Sequence, residues 1–328
     1  MTTESVPLRR VGASGLLVSA IGLGCNNFGR SGTRTESLEG TREVLDAALD
    51  AGVTFLDTAD IYGKEPGLSE SLMGAALTGR RDRFVLATKF GHADFAPAVL
   101  GGSKASRTHV RRAVEASLTR LRTDWIDLYQ LHTPDPETPI EETLDVLGDL
   151  VREGKVRYIG HSNLSGWQIA EAHFVARERH AVPFVSSQNQ YSLLARGAER
   201  NILRAVERYG LGFFPFFPLQ NGLLTGKFTR NAAPADSRIM RQRPHLYENA
   251  PWDALEAYQA FCDERGITML EATMAWFLAK PVVSSVIAGA TSPEQVRANA
   301  AAATAWTPGA DDLAAIDGFF PPAPAADM

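Results

Sequence analysis

In the stretch FLDTADIYG (residues 55–63) an apolar run ends at Asp57, and a phenol, Tyr62, stands five positions further on in a polar loop. Lys89 lies near the end of a second apolar run, FVLATKF (84–90), and His132 closes a third, WIDLYQLH (125–132). A phenol with its ordinary pKa of about 10 is a poor acid at neutral pH, but a cation within a few ångströms favours the phenolate and lowers that value. Lys89 would supply the cation. Asp57 would keep it charged and oriented, and His132 could donate a hydrogen bond to an oxygen held between it and Tyr62. Such a set offers a proton to a carbonyl oxygen as negative charge develops there. The sequence shows no serine or cysteine nucleophile with a partnering base and no metal-ligand spacing, so an external hydride is the expected attacking group. Each residue alone has a plainer reading. A terminal aspartate caps turns, a strand-end lysine reaches for water, and a histidine beside Thr133 and Pro134 is an ordinary turn residue.

Their weight comes from convergence, and convergence depends on the elements that carry them. Short β-branched or apolar runs at 18–24, 54–59, 84–90, 125–132, 156–163, 184–190, 211–217 and 283–289 alternate with helical stretches of 3.6-residue periodicity. The first helix places Leu38, Val44, Leu45, Ala48 and Leu49 on one face and stops at Gly52. Eight strands, each followed by helix and without repeats or a low-complexity linker, predict one closed parallel (β/α)8 TIM barrel over 1–328, an α/β fold; an open doubly wound sheet is the alternative. The early segment LRRVGASGLLVSA (8–20) predicts an N-terminal hairpin capping the barrel floor, and extra C-terminal helices are expected. In such a barrel the strand C-termini form one rim, which would gather Asp57, Tyr62, Lys89, His132, Ser162, Asn163 and Gln188. The run GLGCNNFG (22–29) has glycines after a strand, but its spacing is not that of a dinucleotide fingerprint, and turn glycines are the better reading.

The whole chain is 328 residues long, 45% hydrophobic and 22% charged, with a net charge of −5 and mixed signs. That balance speaks against nucleic acid or a membrane surface as partner, since both call for a basic face. The opening residues lack the basic-then-apolar order of a secretory signal, and Cys25 and Cys262 are too far apart in sequence for a disulfide framework. A reducing cytoplasm is therefore expected, with a monomer or weak homo-oligomer as the default state.

The segments around these residues resemble, in order and over nearly the full chain, those of the aldo-keto reductases. FLDTADIYG resembles the family's Asp/Tyr segment, VLATKFG its lysine segment and IDLYQLHTPDP its histidine segment. IGHSNLS and SSQNQYSLL resemble its carboxamide-binding residues, FPLQNGLLTGKF its pyrophosphate-side loop, and GATSPEQVRANA its adenosine-binding end. The resemblance implies reduction of a small-molecule aldehyde or ketone with NADPH (forming NADP+), with Asp57, Tyr62, Lys89 and His132 catalytic. It also implies a cofactor surface of Ser162, Asn163, Gln188, Phe216, Leu219, Gly222, Leu224, Lys227, Gly289, Thr291, Ser292, Gln295 and Asn299. Phe216 stands where the family commonly has a tyrosine, and core packing is the other reading for it. The family's alternative outcome is a redox-sensing subunit of an ion channel.

Around TSPEQV (291–296), Ser292 at the cap, Pro293 at the first helical position and Gln295 three after the cap predict a capping box and hence a helix start able to hold a phosphate. Glu294 opposes an anion there, and Arg297 is the only cation in that stretch of sequence. The stretch 220–251 is expected to close over the cofactor and to be poorly ordered without it. Phe28, Phe90, Phe95 and Trp252 are candidate pocket walls.

Overall fold

The computed structural model describes residues 5–92, 102–235 and 237–322. Phe95 lies outside them. A two-stranded antiparallel hairpin, β1 (Leu8–Arg10) and β2 (Leu17–Ser19), precedes the barrel strands β3 (Ile21–Gly24), β4 (Phe55–Asp57), β5 (Val85–Phe90), β6 (Ile126–Leu131), β7 (Val156–Ser162), β8 (Ser186–Gln190), β9 (Gly212–Phe216) and β10 (Val286–Gly289). These eight are all parallel and close with β10 beside β3, as the alternation of elements predicts for a TIM barrel rather than an open sheet.

The surrounding helices are α1 (Leu38–Asp50), α2 (Leu68–Ala76), α3 (Arg107–Leu121), α4 (Ile140–Arg152), α5 (Gly166–Glu178), α6 (Ile202–Tyr209), α7 (Arg238–Gln242), α8 (Pro244–Glu248), α9 (Trp252–Glu264), α10 (Met269–Leu278), α11 (Pro293–Ala301) and α12 (Ala310–Phe319). Local chemistry starts several of them. Ser37 accepts the Gly40 N–H at the head of α1, Ser106 accepts that of His109 at α3, and Thr268 with Glu271 forms a capping box at α10. The buried face of α1 is Val44, Leu45, Ala47 and Ala48, close to the predicted stripe.

The hairpin plugs the barrel floor. Val11, Leu16 and Val18 share a core with the inward Phe55, Ala87, Leu128, Phe214 and Ile287. The Arg9 guanidinium donates to the carbonyls of Val283 and Leu278, and the Ser284 hydroxyl donates to that of Arg10. Gly12 sits at φ +54° against β9, where a Cβ would stand 2.3 Å from the Gly210 carbonyl oxygen, so only glycine fits this turn.

The boundaries shift in places. The predicted strand at 18–24 breaks at Ala20, because its first part pairs within the hairpin and its second within the barrel. The eighth strand begins at Val286, and the helix expected from 197 is a short 3-10 turn followed by α6. The segment 220–251 holds α7, α8 and a small core of its own, Leu223, Phe228 and Ile239 against Tyr247 and Trp252. No helix among the described residues is long and apolar enough to cross a membrane.

Candidate active site

Register brings the predicted residues to one rim: Asp57 lies opposite Ala87, Lys89 opposite Gln130, and Ser162 opposite Gln188. Beyond Asp57 the chain turns through Thr58 and Ala59, and the loop is pinned at both ends. The Ser69 N–H donates to the Tyr62 carbonyl, the Lys64 N–H donates to that of Gly29, and the hydroxyls of Thr58 and Ser69 lie 2.9 Å apart. Gly63, at φ +119°, leaves no room for a Cβ, which would stand 2.7 Å from that of Leu68. The loop therefore holds Tyr62 in place through its backbone.

Lys89 is fully buried. Its Nζ donates to Asp57 Oδ2 at 2.6 Å and to the Thr58 carbonyl at 2.9 Å, and lies 5.1 Å from the centroid of the Tyr62 ring. The second carboxylate oxygen of Asp57 accepts from Gln188 Nε2 at 2.9 Å and Gln130 Nε2 at 3.3 Å. The imidazole of His132 meets the Tyr62 ring edge to face, with centroids 5.8 Å apart. All four predicted catalytic side chains thus share one cluster.

Burial sets the electrostatics. It pushes the Lys89 ammonium down, but Asp57 and Tyr62 outweigh it, and the lysine stays charged with a raised pKa. The Tyr62 phenol corrects the sequence expectation. Burial raises its pKa above the ordinary value, and the opposing pull of Lys89 offsets only part of that rise. The cation acts in the expected direction; the lost hydration of a phenolate is larger. His132 is held well below the usual histidine range by burial first, then by Lys89 and His92, and so is neutral. Its Nδ1 is buried without a hydrogen-bond partner.

A second buried carboxyl adjoins this cluster. The Asp60 N–H donates to the Lys89 carbonyl, while its Oδ1 is buried without a partner. Burial, then the neighbouring Glu70, raises Asp60 to about 7. Glu70 is itself held by the Thr88 hydroxyl and Arg120 Nε, each at 2.6 Å.

The residues expected to face a cofactor continue around the rim. The Ser162 hydroxyl donates to the Gln188 carbonyl, and Asn163, at φ +63°, donates from Nδ2 to the His132 carbonyl and to Ser162 Oγ. Phe213 and Phe214 are fully buried, whereas Phe216 is half-buried and stands two residues beyond the inward Phe214. Alternation therefore puts Phe216 on the same face of β9 as Phe214.

Past β9 the backbone runs through positive φ at Phe217, Gln220, Asn221 and Gly222. A Cβ at Gly222 would stand 2.9 Å from Lys227 Nζ, so the bare glycine backbone and an ammonium share one concavity. Asn221 Oδ1 is buried there without a partner. Leu219 is half-buried, while the Leu224 side chain is sealed in the main core, leaving only its backbone for a ligand. The Lys227 ammonium beside bare glycine backbone suits an anion, but the N–H groups of Gly222 and Leu224 donate to the Leu219 carbonyl and Asn221 Oδ1 can only accept, so the cation is the one feature here that favours a phosphate.

At the end of β10, Gly289 is exposed, and a Cβ there would approach Asn27 Nδ2 at 3.2 Å. Ser292 caps α11 as predicted, accepting from Gln295 N–H. The reciprocal half of the capping box is absent, because Gln295 Oε1 takes the Thr291 N–H and hydroxyl instead. Asn299 is buried in the second turn.

The description Aldo/keto reductase family belongs to a family model that matches residues 20–320. The chain is a member of that family. Among its relatives is the uncharacterized oxidoreductase YrpG of Bacillus subtilis (strain 168), 39% identical over 88% of each chain. L-glyceraldehyde 3-phosphate reductase of Escherichia coli (strain K12) is 33% identical over 94% of this chain and 91% of its own. A putative voltage-gated potassium channel subunit beta of Schizosaccharomyces pombe (strain 972 / ATCC 24843) is 34% identical over 90% of this chain and 88% of its own.

Several site residues escaped the sequence reading. Gln130 binds Asp57 from within β6; its inward position two residues before His132 was the available signal. Gln188, expected to face a carboxamide, turns its amide nitrogen to Asp57. Ser292 and then the backbone lower the pKa of Glu294 at the start of α11, and Arg34, remote in sequence and paired with Glu43, adds to this with Arg297, so Arg297 is not the only cation there. Phe28 and Phe90 are not pocket walls: both are fully buried in the main core, where Phe90 stacks on Tyr129. Trp252 packs on Tyr247.

Proposed function

We propose that this chain reduces an aldehyde or ketone to the alcohol with NADPH, and that Tyr62 gives the proton. The observation that carries the reading is the buried Lys89 ammonium, fixed between Asp57 and the Tyr62 ring in a family of oxidoreductases. A bound nicotinamide supplies the hydride. Tyr62 delivers its proton to the carbonyl oxygen, and Lys89 steadies the phenolate left behind. Asp57 balances the lysine's charge and is itself fixed by Gln188 and Gln130. Neutral His132 donates a hydrogen bond to the same oxygen and orients the carbonyl. Tyr62's pKa, raised by burial, keeps its proton in place until charge develops beside it.

In this reading Ser162, Asn163 and Gln188 border the nicotinamide amide and Phe216 underlies the ring. Leu219, Gly222, Leu224 and Lys227 line the pyrophosphate side. Gly289, Thr291, Ser292, Gln295 and Asn299 form the adenosine end. The free, buried Cys25 and Cys262 agree with a reducing cytoplasm, and a monomer remains the default state.

The channel-subunit name of one relative favours a second reading, cofactor binding that regulates a partner. Steady-state oxidation of NADPH with simple aldehydes separates the two. Turnover supports the reductase; tight NADPH binding with no turnover of any carbonyl supports the regulator.

A further inference from the structure

We propose that Arg30 and Arg243 form a clamp for an anionic group, a phosphate or carboxylate, carried by the substrate aldehyde. The proposal rests on the reductase reading for what that substrate is. Arg30 lies on the loop after β3, which the Lys64 N–H to Gly29 carbonyl hydrogen bond ties to the Tyr62 loop. Arg243 follows α7, and its guanidinium stands 5.6 Å from the Phe217 ring centroid, beside Phe216. The two segments abut: a Cβ at Gly32 would stand 3.4 Å from Arg241 Nη1.

Both arginines are half-buried. Among the described residues neither forms an ion pair with a carboxylate, although this loop contains one. Glu36 instead takes the Gly32 N–H at 2.9 Å and the Lys64 ammonium at 3.6 Å. Among the described residues the guanidinium of Arg30 donates only to the Asn26 carbonyl, at 3.3 Å. It is close enough to Arg243 and Tyr62 to feel both. Burial and then Arg243 lower its pKa, and Tyr62 raises it. Two half-buried cations on abutting segments repel, and an anion bound by both removes that cost. Planar guanidinium donors match the paired oxygens of phosphate or carboxylate. The Arg30 loop is tied to the loop of Tyr62, so a short aldehyde could present its carbonyl to Tyr62 and its anionic end to the arginines.

The test compares kcat/KM for glyceraldehyde 3-phosphate against glyceraldehyde, and succinic semialdehyde against butyraldehyde, in wild type, Arg30→Gln and Arg243→Gln. The wild type should prefer the anionic member of at least one pair. That preference should fall roughly tenfold or more in each variant, the scale of one charge-assisted hydrogen bond, with partial recovery in Arg30→Lys. The two pairs separate phosphate from carboxylate. No preference in wild type, or one that survives both substitutions, overturns the clamp. So does a loss of NADPH affinity by the same factor, which would assign the arginines to the cofactor. If no aldehyde is turned over, the reductase reading fails, and calorimetry with glycerol 3-phosphate judges the clamp by itself. Binding weakened in Arg30→Gln upholds the anion site; equal binding or none overturns it.

Discussion

Asp57 Oδ2 and Lys89 Nζ lie 2.6 Å apart in a site that leaves the lysine no exposed surface. Such a pair behaves asymmetrically, because removing one partner strands the other charge. Asp57→Asn should destabilise the fold by about 3–5 kcal/mol, and adding Lys89→Met should recover part of that loss. Urea titrations of the two single variants and the double variant measure the coupling. Strictly additive losses would show that the two groups do not depend on each other.

Asp60 predicts a pH dependence of stability. Its native pKa of about 7 lies above the ordinary aspartate value of 3.8, so between those limits the native state holds more protons than the unfolded state. Its contribution is present at low pH and is lost as pH rises toward 7, by up to about 4 kcal/mol. Asp60→Asn should therefore gain stability relative to wild type on going from pH 5 to pH 8. Parallel stability curves would mean that Asp60 ionises normally.

His161 has the opposite sign. It is fully buried, neither ring nitrogen has a partner, and burial lowers its pKa to about 3. Between that value and 6.5 the unfolded state binds the extra proton, so stability falls as pH drops through this window. His161→Leu should be more stable relative to wild type at pH 5 than at pH 8. A difference independent of pH would remove the histidine from the acid response.

Much of the catalytic cluster was legible because β-strand alternation and the strand-end rule depend on sequence alone. Asp57, Lys89 and His132 end strands, and Tyr62 follows at loop distance. What the sequence hid depends on register and depth. Gln188 meets Asp57 because of the strand register, and Gln130 joins it from mid-strand. The net direction of the Tyr62 shift depends on how much water the fold excludes. Arg34 approaches α11 only through the packing of the outer helices. The small core around Ile239 draws on apolar residues scattered through a polar stretch, with no periodic signal.

Cofactor choice follows from the start of α11. Its N–H groups favour an anion, Glu294 opposes one, and Arg34 and Arg297 both act on that carboxylate. NADPH should bind roughly 10–100-fold more tightly than NADH, one to two steps of about 1.4 kcal/mol. Arg34→Ala and Arg297→Ala should each narrow the ratio. Equal dissociation constants for the two cofactors in wild type would show that this helix end does not read the phosphate.

The most direct measurement is the turnover of Tyr62→Phe with several aldehydes, alongside its NADPH dissociation constant. The aromatic ring remains and only the proton is removed. Turnover should fall by roughly 10²-fold or more, the range for a general acid, while cofactor affinity stays near that of wild type. Turnover within a few-fold of wild type on those aldehydes would contradict the assignment of Tyr62 as the proton donor.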